Sequence, residues 1–464
     1  MSGPTFLLSA HEVRDLHGRR YRLGETDREL LGYSRAWIAW AAGLAMLAAG
    51  VGQYGYAVLL PAITATQGWQ PREAVWVLAV WAACQAATVY PVARLRSRAR
   101  IPPAALMAIG AVLCATGLVT LGVSETLALV ILAHAVLGGI GAGLVYGTCV
   151  SVVSRWYPEH PARTHFASGA FAVGSIPIVV LAERFTAAGT PGSYLGVVAL
   201  VVLLLVGAAA LVLKDPPAHW WPARIDPHLW ATDKSVNPGL RRNRPAIRRY
   251  APGEVLRCPE SALLYAAMTC ASAVALFDLA FVGVFAVSSG WGPGFAAFAV
   301  GALAGASGVS RAVAGWAGIR FGRARTVVAA LLIAGVAQAM ILVGGVNGVA
   351  LLLVLGCLCA GTSAGICFAL LPELVDDHFG DREALPNFGL FYGAKAVGGL
   401  AGVGLAAVLL VPYGFTAGFA VAALVSLAGA LLTGLLRRPG MPRVTVPDSR
   451  NRPRETAPHR SRAA

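Results

Sequence analysis

Twelve stretches of about 20 or more apolar and small residues run through this chain of 464 residues, and a helix of that length crosses a hydrocarbon core of roughly 30 Å. They run from Trp37–Ile63, through a fifth at His165–Leu181, to Tyr413–Leu436. Only 13% of residues are charged, against roughly a quarter in a water-soluble domain. In lipid, backbone groups must satisfy one another within the spanning segment, so stretches of this length and composition can only be helices. The fold class expected is therefore an all-α polytopic membrane protein with twelve transmembrane helices.

The net charge of +15 would suggest a nucleic-acid partner in a soluble protein, but its placement points to the lipid bilayer instead. Arg94, Arg96, Arg98 and Arg100 lie between spans two and three, Arg155 and Arg163 between four and five, and Arg320, Arg323 and Arg325 between eight and nine. The loops on the other side carry only Arg72 and Arg184. The positive-inside rule then places both termini and the long middle loop in the cytoplasm. No removable signal is expected, because the first 36 residues lack an apolar core and a small-residue cleavage site. Seven of the eight cysteines fall inside spans, and none sits where disulfides form.

The apolar pattern stops between Lys214 and Arg257, dividing the spans six and six. The expected organisation is a cytoplasmic tail (1–36), a first six-helix bundle (37–213), a cytoplasmic linker (214–260), a second bundle (261–436) and a basic tail (437–464). The linker's Trp220, Trp221 and Trp230 suit anchorage at the membrane–water interface. Arg98-Ala99-Arg100 recurs as Arg323-Ala324-Arg325, and Leu137-Gly138 with Ala142-Gly143 recurs as Leu355-Gly356 with Ala360-Gly361. The offsets of 225 and 218 residues are similar, as a duplicated half would give. A six-plus-six repeat fits a secondary carrier with its site between the halves. Gly138 to Gly143 lies in an apolar helix with no following lysine, so no phosphate loop and no ATP-driven engine is expected.

Three formally charged residues fall inside the spans: Asp278, Arg311 and Lys395. Each is costly in hydrocarbon and needs a partner, water or a function. Arg311 precedes Arg320 by nine residues and Lys395 follows Pro386 by nine, which puts both about 13 Å inward at 1.5 Å per residue. That depth exceeds the reach of a snorkelling side chain. Two cations at matched depth can flank one anion. The chain has 34 arginines and three lysines, so the embedded Lys395 stands against its background and hints that a compact ammonium is wanted there. Asp278 lies nearer the opposite side, as a partner for a cation, a proton-coupling group or a structural carboxylate. Gln53, Tyr54, Tyr56, Gln85, His134 and Tyr146 are the first-half candidates for lining a cavity. Asp376, Asp377 and His378, with Asp381, could hold a metal or form a gating network with loop arginines; the gating reading is preferred, and neither metal nor cofactor is expected.

With these residues placed, the chain resembles the major facilitator superfamily and, within it, the bacterial oxalate/formate antiporter family. The resemblance rests on Gly138-Gly139-Ile140-Gly141-Ala142-Gly143-Leu144-Val145-Tyr146, on Gly308-Val309-Ser310-Arg311 followed by Gly315-Trp316, and on Phe391-Tyr392-Gly393-Ala394-Lys395. It implies that Arg311 and Lys395 bind carboxylates, with Gln53, Tyr54, Tyr146, Phe171, Phe368 and Tyr392 lining the cavity. Ala364 stands where oxalate carriers place a large aromatic, and Phe171 and Phe368 stand where they have tyrosine. A wider, less polar cavity and a carboxylate larger than oxalate are thereby implied. Ile319 replaces the acid of the superfamily's loop motif, so gating contacts should differ.

The expected activity is alternating-access transport of small mono- or dicarboxylates by anion exchange, by a monomer in a bacterial cytoplasmic membrane. Proton-coupled monocarboxylate symport, with Asp278 as the coupling group, is the nearest alternative. Drug or cation efflux predicts acids in the cavity, which the two cations oppose. An enzyme would need clustered catalytic side chains, of which Asp376 to Asp381 is the single group; a sensor or scaffold is a further class. No catalytic residue is expected.

Overall fold

The computed structural model describes residues 11–15, 19–99, 101–179, 191–380 and 384–439. Eleven of its helices are long and apolar enough to cross a membrane. In chain order, and with the shorter α5 included, the helices are α1 (Ala36–Thr64), α2 (Pro71–Ser97), α3 (Pro103–Val123), α4 (Leu127–Trp156), α5 (Ala162–Val173), α6 (Tyr194–Val212), α7 (Pro259–Ser288), α8 (Pro293–Phe321), α9 (Arg323–Val346), α10 (Ala350–Phe379), α11 (Leu385–Leu410) and α12 (Pro412–Gly434). The molecule is an all-α polytopic membrane protein. The expected span at His165–Leu181 is represented by α5 and a further turn to residue 179, and its end lies outside the described residues. Arg100, Arg184, Asp381 and residues 440–464 lie outside them too.

Helix boundaries follow backbone chemistry. Pro71, Pro103, Pro259 and Pro293 open α2, α3, α7 and α8, where a missing N–H costs nothing. Gly322, at φ 95°, is the single residue between α8 and α9, and this left-handed geometry suits glycine alone among common residues. The interiors are apolar on nearly every face, as a helix between lipid and other helices requires.

Small residues bring the helices together. α5 packs on α8, α2 on α11, and the second part of α1 on α7 and α8; these contacts join the first six helices to the last six. At the α5–α8 crossing a Cβ on Gly169 would lie 2.5 Å from the Gly308 carbonyl oxygen, so the two backbones touch. Gly389 of α11 meets the Tyr90 backbone of α2 equally closely, and Gly404 of α11 meets the Trp76 ring. The contact therefore extends along the length of the helices.

Three helices carry π-helical turns: Val51–Gly55 in α1, Ile131–Gly138 in α4 and Leu400–Leu405 in α11. Such turns swing side chains out of the regular register and recur at functional sites. The first holds Gln53 and Tyr54.

The residues before α1 and the long linker build a cap, which hydropathy did not foretell. β1 (His11–Arg14) and β2 (Arg20–Leu23) form an antiparallel hairpin. Arg22 donates its N–H to the His219 carbonyl at 2.7 Å and accepts from Trp221 N at 3.1 Å. Trp220 and Trp221 are 5% and 4% exposed. Trp220 donates its indole N–H to the Glu25 carbonyl and packs on Trp156, and Trp221 packs edge-on to Tyr21. These two tryptophans are thus protein-packing residues, correcting the expectation of interfacial anchors: Tyr21 of the hairpin covers Trp221, and the carbonyls of Glu25, just after the hairpin, and of Ile225 in the linker accept the two indole N–H groups.

Ion pairs gather at the same end. Arg96 grips Asp215 through two bonds of 2.5 and 2.7 Å, joined by Arg155, and Arg35 pairs with Glu159 at 2.6 Å. Arg323 holds Glu373 and Asp377. His165 Nε2 lies 3.0 Å from Glu373 Oε1, linking α5 to α10. Asn243 of the linker donates to the Gly318 carbonyl and accepts from Arg323 N, fixing the α8–α9 corner. His378 Nδ1 sits 2.7 Å from the Leu374 carbonyl, and among the described residues no group of His, Cys, Asp and Glu is placed to hold a metal ion.

Candidate functional site

The two embedded cations converge. Lys395 lies on α11, just before its π turn, and Arg311 lies near the middle of α8, one helical turn after Ser307 and Gly308. Each is 3% exposed. Both face the Phe368 ring of α10: the Arg311 Cζ is 5.0 Å and the Lys395 Nζ 5.9 Å from its centroid. A ring face attracts a cation through its quadrupole, more so away from water. The two cations, at matched depth along their helices, thus occupy one locus.

Neutral oxygens meet both cations. Lys395 Nζ donates to Gln53 Oε1 at 2.8 Å and to Gln85 Oε1 at 2.7 Å. Arg311 Nη1 donates to the Ser168 carbonyl at 2.8 Å and Nη2 to the Tyr54 hydroxyl at 3.1 Å. Arg311 Nε and Gln53 Nε2 are buried donors without a protein partner. Among the described residues neither cation makes an ion pair with a carboxylate.

Aromatic rings close the remaining sides. Tyr146 stacks on Tyr392 with centroids 4.9 Å apart, and Phe171 stands edge-on to Tyr54 and Tyr146 at 5.9 and 5.4 Å. Lys395 Nζ lies 5.6 Å from both the Phe171 and the Tyr392 ring centroids. The eight residues Gln53, Tyr54, Tyr146, Phe171, Arg311, Phe368, Tyr392 and Lys395 thus form one contiguous constellation drawn from α1, α4, α5, α8, α10 and α11. Three of the six helices come from each side of the linker.

Asp278 is elsewhere. It is buried in α7, where Oδ2 accepts from Gln338 Nε2 of α9 at 3.0 Å, and no contact joins it to Arg311 or Lys395. Tyr56 and His134 also stand apart. Tyr56 donates to the Ala74 carbonyl and stacks on His134 at 5.4 Å, a packing contact inside the first six helices.

The model of the Major Facilitator Superfamily matches residues 42–385, with a second match over 263–463. The chain belongs to the Major Facilitator Superfamily. Among curated proteins it is similar to the oxalate:formate antiporter of Oxalobacter formigenes, with 26% identity over 312 residues that span 66% of this chain and 69% of the relative. Among solved structures it is similar to the nucleoside transporter NupG, in a single-substitution variant, with a TM-score of 0.62 at 13% identity over 86% of this chain and 99% of that one. At that identity the second likeness shows the fold alone. This major facilitator protein is a multi-pass membrane transporter and not an enzyme.

Three further groups belong to the constellation of this facilitator. Gln85 was foreseen as a general lining group, whereas it binds Lys395 directly. Trp81, one turn earlier on α2, is fully buried beside Phe171 at 6.4 Å; its i, i+4 relation to Gln85 was the readable signal. The Ser168 carbonyl could not be foreseen. A backbone oxygen in mid-helix is ordinarily committed to its own ladder, and the Gly169–Gly308 contact is what brings the guanidinium to it.

Proposed function

We propose that this transporter is a secondary carrier of small organic anions, mono- or dicarboxylates, that works by alternating access and anion exchange. The observation that carries the reading is the pairing of two buried cations, Arg311 and Lys395, around the Phe368 ring with no carboxylate beside them. A buried charge is stable only when countered, and a carboxylate cargo is the counter-charge that fits. Arg311 Nε and Gln53 Nε2 are the donors to spare for it. The aromatic walls accept the carbon skeleton, and Ala364 in place of a large ring favours a cargo bulkier than oxalate. The name of the matched antiporter agrees with carboxylate exchange.

In this reading, residues 37–213 and 261–436 are the two halves that rock about the site. Charge distribution supports cytoplasmic termini in a bacterial cytoplasmic membrane. Between loaded states, a carboxylate entering from either face would be gripped by the cations of α8 and α11 while α1, α2, α4 and α5 close over it. Exchange is the favoured cycle because a second carboxylate restores the counter-charge for the return.

Proteoliposomes preloaded with candidate mono- and dicarboxylates test this. Wild-type protein should take up labelled carboxylate against unlabelled carboxylate inside, and Arg311→Ala and Lys395→Ala should abolish the exchange. Equal exchange in wild type and both variants would remove the assignment of the site. Repeating the uptake across a pH gradient separates anion exchange from proton symport.

A further inference from the structure

Every protein acceptor on the two cations is a neutral oxygen, and every one comes from the first six helices: Gln53 and Tyr54 on α1, Gln85 on α2 and Ser168 on α5. The cations come from α8 and α11. These four bonds therefore fasten the two groups of helices to each other at the depth of the site. They differ in kind. The Ser168 carbonyl is fixed in the backbone, whereas the two glutamine oxygens sit on flexible side chains that can turn away. An ammonium offers donors only, so both amides must present oxygen to it. That leaves Gln85 Nε2 facing the Tyr392 hydroxyl at 3.5 Å and Gln53 Nε2 without a protein partner.

We infer that Gln53 and Gln85 are stand-in acceptors for Lys395 that allow the carrier to close and return without cargo, and so set the ratio of net flux to exchange. The inference rests on the anion-carrier reading above. Closing the helices over an ammonium with no acceptor leaves a buried donor unmet, which is strongly unfavourable. Two amide oxygens remove that penalty without bringing a charge. A carboxylate forms the stronger, doubly charge-assisted bond, so it displaces the amides and is not excluded by them. A glutamate at either position would instead hold Lys395 permanently and compete with cargo.

The test uses full-length protein in proteoliposomes with two readouts. The first is the ratio of one-way efflux into carboxylate-free buffer to exchange against external carboxylate. For Gln53→Leu combined with Gln85→Leu this ratio should fall by about tenfold or more, and for Gln85→Glu, which keeps the side-chain shape, it should rise above wild type. The second readout needs no cargo: acetylation of Lys395 by a small water-soluble reagent, measured by mass spectrometry against the exposed Lys214 and Lys234. In carboxylate-free buffer, labelling of Lys395 should be low in wild type, higher in the double leucine variant and lowest in Gln85→Glu. A ratio unchanged in both variants, or Lys395 labelling equal in all three proteins, would overturn the inference. If wild type moves none of the carboxylates, the cargo assignment fails, and the labelling order alone then decides whether the glutamines govern closure.

Discussion

Arg311→Lys keeps the charge and removes the shape, so it separates the two contributions of Arg311 to the site. The guanidinium spans two acceptors on different helices, the Ser168 carbonyl at 2.8 Å and the Tyr54 hydroxyl at 3.1 Å, while its Cζ lies 5.0 Å from the Phe368 ring centroid and its Nε remains a free donor. A lysine ammonium is a compact point donor on a thinner stem and cannot reproduce that planar fork. At least one of the two bonds must go, together with the Nε donor. Hydrogen bonds to charged groups contribute about 1.5–3 kcal/mol, so the loss should be about 10- to 150-fold in transport efficiency, at 1.4 kcal/mol per factor of ten. Tyr54→Phe removes one of the same bonds and leaves the charge and fork intact, so its loss should be smaller. The assay is the initial rate of carboxylate exchange against concentration, with protein amount normalised by reconstituted yield. Arg311→Lys at wild-type efficiency would refute the reasoning, because charge alone would then suffice and the bonds to α1 and α5 would be incidental.

Arg323→Ala should destabilise the fold by about 3 kcal/mol, the low end for breaking a buried pair, since it takes the shared arginine from the half-buried Glu373 and Asp377 and leaves Glu373 only His165; a thermal melt in detergent should show it, and the triple variant with Glu373→Gln and Asp377→Asn should recover much of the loss. Asp278→Asn should leave exchange and its pH dependence close to wild type, because Gln338 and not the cation pair is its neighbour; loss of uptake driven by a proton gradient would instead assign it to proton coupling.

Much of the site could be read before the fold was known, for a reason specific to membranes. Hydrocarbon makes each charge so costly that Arg311 and Lys395 stand out in an apolar sequence, and a constant rise per residue converts position into depth. Matched depth then implied proximity. The same logic named Asp278 but could not say which face of α7 it occupies, and it proved to face α9. The aromatic walls were legible through family resemblance, since a phenylalanine such as Phe171 or Phe368 gives no signal in a chain this apolar. The cap of hairpin and linker was not legible. Its strands have four residues each, too short for a period-two pattern, and the partners of Tyr21 and Trp221 lie some 200 positions apart in the chain.

That separation has a bearing on how the protein is made. Beyond its own strand pairing, the hairpin at 11–23 meets His219 and Trp221 through the Arg22 backbone, after all of the first six helices have been synthesised. At about 5–20 residues per second, the ribosome needs roughly 10–40 s between the two. Through that interval the Tyr21 ring has yet to meet the Trp221 indole and the Arg22 backbone has yet to meet His219 and Trp221, while α1 to α6 enter the bilayer. Completion of the cap thus requires that α1 to α6 have been synthesised, and its linker partners precede α7 in the chain.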